Sequence, residues 1–468
     1  MVSICEKDIW QLNRTKRFVM KNNNMTRNLG EGNITKLLAS LAIPAVVAQV
    51  VNLLYNIVDR VYIGHIPGIG ANALTGVGLF TPILMLINAF AMLAGSGGAP
   101  RAAIFMGKKD NDLAEKILGN CFTLLVGLAV VLTIVFYVSA PTLLRLFGAS
   151  DATLTYATDY ARIYILGSFF VLIVLGMNTF ITTQGFAKIS MMTTIIGAVI
   201  NIILDPVLIF GLGPFPKMGI EGAALATGIG QAAGAVLYLI FYIVNPLPVK
   251  YRKKYLKADL KLWKKLYVIG IPASLNLALP SLLISVLNVI LTGYGEVYVF
   301  VLGVYYKLQT FLYLPANGIV QGMRPLLGYN YGAGEHKRVH KIFQDGLILV
   351  IVMMAAGMAI CLAVPGQLMG LFTANPITMK AGSVALRVIS LGFLASSVSV
   401  ICSGALEGLG KGVHSLIISL CRYVVVIIPV AFIVSRFMGA VGVWHAFWIT
   451  EVVTAVIAYV VYRKGVKG

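Results

Sequence analysis

The chain has 468 residues, of which 59% are hydrophobic and only 12% are charged, and its mean hydropathy is +0.88. This balance excludes a soluble globular protein. Apolar runs of about 20 residues can each cross a hydrocarbon core about 30 Å thick, so the chain is predicted to be an all-α polytopic membrane protein. A membrane β-barrel would show shorter, alternating segments. The net charge of +20 would fit a nucleic-acid-binding protein, but the basic residues lie in short loops between apolar runs, and no nucleic acid is expected as a partner.

Twelve apolar spans follow one another along the chain, and each is predicted to be a transmembrane helix. In chain order they cover residues 36–62, 76–97, 117–139, 160–183, 190–212, 220–244, 266–292, 298–320, 342–364, 383–406, 413–435 and 441–462. The predicted units are a cytoplasmic N-terminal segment (1–35), an N-lobe (36–244), a basic cytoplasmic linker (245–265), a C-lobe (266–462) and a cytoplasmic tail (463–468). The N-terminal segment has no apolar signal-peptide core. Met25 could be the true start, and residues 1–24 would then be a disordered extension.

The distribution of Lys and Arg predicts the orientation of the chain. Most of the 37 basic residues lie in the N-terminal segment, in the linker, in the tail and in every second loop. Short cytoplasmic loops are enriched in Lys and Arg. Both termini are therefore predicted to be cytoplasmic.

Short motifs repeat between the two halves of the chain. The matched segments are Leu41–Pro44 with Ile269–Pro272, Leu146–Ser150 with Leu371–Asn375, Gln184–Lys188 with Glu407–Lys411, and Gly219–Gly222 with Gly439–Gly442. Each half holds six spans, an even number, so both halves begin on the same side of the membrane. The lobes are therefore expected to be related by a pseudo-two-fold axis along the membrane normal.

Two carboxylates interrupt the apolar spans of the first half. Asp205 lies inside the run Met191–Leu212, and Asp59 lies towards the end of the first span. A charge at the bilayer centre costs at least about 2.5–3.5 kcal/mol, so such residues usually face a polar cavity and carry function. Two alternatives remain open. Asp59 could be an interfacial acid, either paired with Arg60 or solvated, and Asp205 could be a helix-end acid before Pro206.

Further polar residues lie at the same predicted depth as the two acids. Asn201 precedes Asp205 by one helical turn on the same face, and Thr227 enters the outer half of the sixth span. The predicted coupling cluster is Tyr55, Asp59, Asn201, Asp205 and Thr227. Burial and a neighbouring acid both favour the protonated form of a carboxyl group, so such a cluster could load and release a proton or hold Na⁺.

The second half carries different charges within its spans. Val424 and Ile428 stand where the first half has Asn201 and Asp205. Lys307 and Glu451 lie at about the same predicted depth within their spans. This predicts an ion pair between them.

Other chemical motifs are weak. His336 and His340 have a spacing that could bind zinc, but they lie in a basic loop without an acid or thiol, so no metal site is predicted. The five Cys include no CxxC pair, and four of them lie in apolar runs as core residues. No nucleophile elbow or HExxH motif appears, and an enzyme is not expected.

Taken together, four segments resemble the MATE (multidrug and toxic compound extrusion) family, in its MepA-like bacterial branch. They are Ile43–Gly64, Thr183–Ala187, Asn201–Pro206 and Gly219–Thr227. The resemblance implies an antiporter of the bacterial inner membrane whose two six-helix lobes form a V. It would export lipophilic and cationic drugs and dyes in exchange for H⁺ or Na⁺, as a monomer and without a cofactor.

The resemblance also implies roles for single residues. Asp59 and Asp205 would accept the coupling cation, and Tyr55, Asn201 and Thr227 would complete their network. Three amides, Asn52, Asn178 and Gln231, would line the drug pocket. Family members that couple through C-lobe acids have carboxylates where this chain has none. Alternatives are a related flippase of lipid-linked saccharides, which would need a strongly basic cavity, an intramembrane enzyme and a passive channel.

Overall fold

The computed structural model describes residues 29–245 and 247–467, so the proposed start at Met25 and the extension 1–24 lie outside the described residues. Within these ranges, eleven helices are long and apolar enough to cross a membrane, and a bent pair of helices supplies a twelfth span. The chain is therefore a multi-pass membrane protein.

The N-lobe contains six long helices. They are α1 (Ile34–Gly64), α2 (Gly70–Gly107), α3 (Asn111–Leu146), α4 (Asp151–Thr183), α5 (Ala187–Phe210) and α6 (Ile220–Val244). Side chains cap the N-termini of α1 and α3, where Asn33 accepts from the backbone N–H of Lys36 and Asp110 accepts from that of Leu113, and Thr153 accepts from the backbone N–H of Ser150 at the start of α4. Gly211 follows α5 with a φ of 74°, a conformation that glycine adopts without steric cost.

The C-lobe helices are more often interrupted. They are α7 (Leu260–Thr292), α8 (Glu296–Gly332), α9 (His336–Ala363), α10 (Pro365–Gly370), α11 (Pro376–Ser390), α12 (Phe393–Gly408), α13 (Gly412–Leu420), α14 (Ile427–Met438) and α15 (Ala440–Lys467). The π-helical segment Cys421–Val425 joins α13 to α14. The predicted span 383–406 is bent by 55° between α11 and α12. At this bend, a Cβ on Gly392 would lie 2.9 Å from the Cα of Trp448, so the close approach of α15 requires glycine there.

The two lobes repeat one pattern of helix packing. In the N-lobe, α2 packs on α3 and α4, α4 packs on α6, and α5 packs on α1 and α6. In the C-lobe, α8 packs on α9 and on α11 and α12, α12 packs on α15, and the segment α13–α14 packs on α7 and α15. Between the lobes, α1 contacts α8 while α2 contacts α7, as a two-fold exchange of the lobes requires. The predicted two-lobe fold with pseudo-two-fold symmetry is confirmed.

A reciprocal glycine contact holds the lobes together at one end. A Cβ on Gly107 of α2 would lie under 3.0 Å from the carbonyl oxygen of Tyr329, and a Cβ on Gly332 of α8 would lie equally close to that of Ile104. Such mutual contacts are typical of a two-fold interface. This end carries the linker and the Lys-rich loops, and we call it the basic end.

The segment between the lobes is bound to the N-lobe rather than free. Asp259 caps α7, which begins at Leu260 and not at residue 266, and it pairs with Lys116 at 2.8 Å. The hydrogen bond from Lys116 holds the pKa of Asp259 below its usual range. Because the folded-state pKa is lowered, this contact stabilises the fold above the unfolded pKa and is lost as the pH falls through the lowered one. The buried carboxylate of Glu115 pairs with Arg252.

Candidate functional site

The two intramembrane acids of the N-lobe lie side by side. Asp59 comes from α1 and Asp205 from α5, two helices that pack along each other, and the two carboxyl groups are within hydrogen-bonding reach. Asp205 is fully buried, and Asp59 is 7% exposed. The structure thus does not place either acid at a solvated helix end.

Asn201 and Thr227 connect Asp205 to α6. The Nδ2 of Asn201 donates to Asp205 Oδ1 at 3.2 Å and to Thr227 Oγ1 at 3.1 Å, and the hydroxyl of Thr227 donates to the carbonyl of Ala223 at 3.1 Å. Asn201 and Asp205 are one turn apart on α5, so their side chains share a face. This part of the predicted cluster forms one hydrogen-bonded chain.

Small residues bring α5 and α6 close enough for this contact. A Cβ on Gly230 would lie 2.7 Å from the carbonyl oxygen of Gly197, and a Cβ on Gly222 would lie 2.7 Å from that of Leu208. Backbones approach closely where helices lack side chains. Thr227 lies between these two crossings on α6 and therefore reaches Asn201.

Three buried oxygens of this group meet no hydrogen-bond donor. They are Asp59 Oδ1, Asp205 Oδ2 and Asn201 Oδ1. Unsatisfied buried acceptors are costly, and two adjoining carboxylates cannot both remain ionised without a compensating charge. A proton on either acid would supply the donor missing between them, and a small cation such as Na⁺ prefers a set of oxygen ligands like this one. The chemistry that fits the group is reversible binding of one small cation.

Asp59 lies on the wall of a cavity of about 390 Å³ in the N-lobe. The cavity is lined by residues of α1, α2, α4, α5 and α6, and it extends to Gln321, Arg324 and Pro325 of α8 and to Glu407 of α12. Cavities of this size accept drug-sized molecules. Among the predicted site residues, Tyr55, Asp59, Asn201 and Thr227 line it, whereas Asp205 lies behind the wall.

The three amides assigned to the drug pocket also line this cavity. Asn52 is exposed, and Asn178 and Gln231 are half-buried. Ser190 at the start of α5 donates to Asn178 Oδ1, which fixes this amide between α4 and α5. The cavity thus combines amides, hydroxyls and the carboxylates of Asp59 and Glu407 at its wall.

Sequence reasoning missed an aromatic group and four further amides on the cavity wall, Gln49, Asn56, Asn88 and Gln321. The ring of Phe80 meets those of Tyr160 and Tyr164 edge-on, with centroids 5.5 Å and 5.1 Å away. Asn88 of α2 also lines the cavity. Asn88 is a lone amide in an apolar run, the same signal that identified Asp205, whereas the aromatic residues do not stand out among the 21 Tyr and 22 Phe of the chain.

The predicted ion pair between Lys307 and Glu451 is wrong, because Glu451 pairs with Arg422 instead. The Nε and Nη2 atoms of Arg422 donate to Glu451 Oε1 at 2.8 Å and 2.6 Å, and Ser399 lies 3.4 Å from Oε2. Lys307 is exposed, with its ammonium 6.0 Å from the centroid of the Phe372 ring. The equal depth of Lys307 and Glu451 was not enough to predict the pair, because depth does not determine the direction in which each side chain points from its helix.

Comparison with curated proteins finds relatives along most of the chain. The chain is 26% identical to "Multidrug export protein MepA" of Staphylococcus haemolyticus (strain JCSC1435) over 437 residues, which are 92% of this chain and 94% of the relative. It is 27% identical over 435 residues to the protein of the same name from Staphylococcus aureus (strain MRSA252), with 92% and 93% of the two chains covered.

Solved structures share the fold over nearly the whole chain. A crystal structure described as MATE in the bent conformation superimposes with a TM-score of 0.87 and 25% identity, over 95% of this chain and 97% of that one. The outward-facing conformation of a multidrug resistance MATE family transporter of the MOP superfamily gives 0.85 and 24%, over 93% and 96%.

The sequence profile of one family matches both lobes separately. The matched residues are 44–207 in the N-lobe and 272–433 in the C-lobe, in agreement with the internal repeat. The chain therefore belongs to the MatE family.

Proposed function

We propose that the protein is a secondary active exporter that exchanges lipophilic, cationic drugs and dyes for H⁺ or Na⁺. The observation that carries this proposal is the buried Asp59–Asp205 pair, of which Asp59 lines the N-lobe cavity and Asp205 lies behind it. The proposal fits the names of the staphylococcal relatives, which are multidrug export proteins.

The cavity lining suits a lipophilic cation. Aromatic rings and methyl groups offer apolar contact, and the amides are adaptable hydrogen-bonding partners. Asp59 supplies a negative charge, and the faces of Tyr160 and Tyr164 attract cations. Asn52, Asn178 and Gln231 would orient the substrate.

Coupling follows from competition for one pair of carboxyl groups. Negative charge on Asp59 and Asp205 strengthens the binding of a cationic substrate. A proton or Na⁺ that neutralises this charge weakens that binding. A coupling cation that enters from outside would displace the substrate outwards, and its release to the cytoplasm would restore the site. Tyr55, Asn201 and Thr227 would hold the pair in place, and no further cofactor is needed.

The orientation of the molecule is part of the proposal. We place the basic end, where the lobes touch at Gly107 and Gly332, in the cytoplasm of a bacterium, with both termini on that side of the plasma membrane. The structure would then represent an outward-facing state. A single two-lobe chain encloses the cavity, so we propose a functional monomer.

The rival functions fit the cavity less well. A flippase of lipid-linked saccharides would need a strongly basic cavity, whereas the arginines that line this one are Arg60 and Arg324 beside two acids. Transport rather than catalysis is proposed because the staphylococcal relatives are named as multidrug export proteins. A passive channel would move substrate down its own gradient only, and this difference can be measured.

The test is ethidium transport in proteoliposomes, with pH and sodium gradients imposed separately. We expect ethidium to move against its gradient when one of the two cation gradients is present. In Asp205→Asn, this driven transport should fall by roughly 5- to 150-fold, the usual range of coupling between sites. Asp151→Asn, which changes an acid that is 97% exposed, is the matched control and should behave as wild type. Transport that follows the dye gradient alone, or an unchanged Asp205→Asn variant, would contradict the proposal.

A further inference from the structure

A second, smaller cavity lies in the C-lobe and adjoins the first. Its volume is about 140 Å³, and it shares two lining residues, Arg324 and Glu407, with the N-lobe cavity. It lies between two ion pairs, Arg324–Glu407 and Arg422–Glu451. The shared residues thus stand where the two cavities meet.

The acids of both ion pairs accept several hydrogen bonds. Glu407 pairs with Arg324, and its Oε1 also accepts from Asn276 Nδ2 at 2.9 Å and from the hydroxyl of Ser415 at 2.8 Å. Glu451 accepts two hydrogen bonds from Arg422. Both acids are therefore stabilised as anions, and neither needs a further cation.

Arg324, at the junction of the two cavities, does not have all of its hydrogen-bond donors paired. Arg324 donates through Nη2 to Glu407, but its Nε is buried and meets no acceptor. A guanidinium can only donate and is always charged, and the Arg324 side chain is 27% exposed where it lines both cavities, so a group that contacts its exposed part must present an acceptor, and an anionic one is favoured. Asn276 Oδ1 also lacks a partner, but a neutral amide does not select for charge.

Both ends of the larger cavity carry charges of each sign, but their balance differs: Asp59 and Arg60 adjoin a second, buried acid, Asp205, whereas Arg324 and Glu407 form a single pair. Asp59 stands at the N-lobe end, and Arg324 stands where that cavity reaches the C-lobe. One molecule that lies along the larger cavity can place a cationic group near Asp59 and an anionic group at Arg324.

We propose that Arg324 forms an anion subsite at the junction of the two cavities and binds the carboxylate of zwitterionic substrates. This inference rests on the proposed export function. It adds a specificity-determining residue in the C-lobe, in a chain whose coupling acids lie in the N-lobe. Substrates without a carboxylate use the N-lobe cavity alone.

The test compares two dyes that differ in one group: a rhodamine with a free benzoate carboxylate and the methyl ester of the same rhodamine. Binding to purified protein is measured by fluorescence anisotropy. In Arg324→Gln, the carboxylate dye should bind roughly 10- to 100-fold more weakly, since a hydrogen bond to a charged group is lost. The affinity for the ester should change by less than about twofold.

Two further variants keep the result interpretable. Arg324→Gln leaves Glu407 without its partner, so Arg324→Gln/Glu407→Gln removes both charges and should show the same selective loss. Lys307→Gln removes an exposed C-lobe cation and should leave both dyes unaffected. Retained binding of the ester shows that a variant is folded.

Several outcomes would overturn the inference. Equal loss of both dyes in the double variant would mean that the pair is structural, and unchanged carboxylate binding would mean that Arg324 does not contact the anion. Wild-type protein that binds the ester but not the acid would exclude the subsite and leave the export function standing. Wild-type protein that binds neither dye would contradict both.

Discussion

Asp59 and Asp205 place two carboxyl groups within hydrogen-bonding reach of each other, and Asp59 Oδ1 and Asp205 Oδ2 meet no donor. Two acids that share one proton or one cation act as a unit. Their contributions to coupling should therefore not add.

A double-mutant cycle tests this shared role. Asp59→Asn and Asp205→Asn should each abolish most gradient-driven ethidium transport in proteoliposomes, and the double variant should be no worse than either single one. Residues in contact typically show interaction energies of about 0.5–3 kcal/mol in such cycles. Independent losses that multiply in the double variant would contradict a shared cation.

The reciprocal contact of Gly107 and Gly332 predicts where the lobes cannot tolerate a side chain. Gly332→Ala would place a methyl group against the carbonyl oxygen of Ile104 and should destabilise the joined lobes by about 1–3 kcal/mol. Gly303→Ala, on the same helix with nothing within 4 Å of the added Cβ, should be neutral or stabilise by up to about 1 kcal/mol. Melting temperatures of the detergent-solubilised variants measure the difference. Equal melting of the two variants would contradict the close contact.

The ion pair of Arg422 and Glu451 predicts a strong coupling within the C-lobe. Their side chains are 11% and 13% exposed, so removal of one partner leaves a buried charge. Arg422→Gln alone should cost about 3–5 kcal/mol, whereas Arg422→Gln/Glu451→Gln should recover much of this loss. Thermal unfolding of the wild-type protein and the two variants provides the comparison. A double variant less stable than Arg422→Gln would argue against the pair.

The attachment of the linker to the N-lobe can be tested by limited proteolysis. Glu115 is buried and pairs with Arg252, so Glu115→Gln should weaken this attachment by about 1–3 kcal/mol and speed tryptic cleavage between residues 250 and 257. Asp112 pairs with Lys254 at the surface, with side chains 70% and 57% exposed, and Asp112→Asn should have little effect. Equally fast cleavage of the two variants would show that the buried pair does not hold the linker.

Part of this architecture could be predicted from the sequence because the membrane imposes simple constraints. Apolar length determined the spans, and a charge inside an apolar run identified Asp59 and Asp205. The same rule applies to Arg422, which lies in the span 413–435 and was nevertheless overlooked. The partner of Glu451 was wrong because counting residues gives depth but not direction around the helix. The π-helical segment Cys421–Val425, which contains Arg422, has no clear sequence signal.

The lining of the cavity could be predicted only in part. The family resemblance supplied Asn52, Asn178 and Gln231, all of which line it. The cluster of Phe80, Tyr160 and Tyr164 depends on how α2 packs on α4. Aromatic residues are common in this chain, so the sequence does not indicate which of them pack together. The junction at Arg324 depends on the contact between lobes, which local sequence does not encode.

The most direct measurement is the affinity of purified protein for ethidium as a function of pH and, separately, of sodium concentration. If the Asp59–Asp205 pair exchanges substrate for the coupling cation, the wild-type affinity should fall as one of these two cations becomes more concentrated. The same titration on Asp59→Asn/Asp205→Asn should then be flat. A wild-type affinity that depends on neither cation, or an equal dependence in the double variant, would contradict the account.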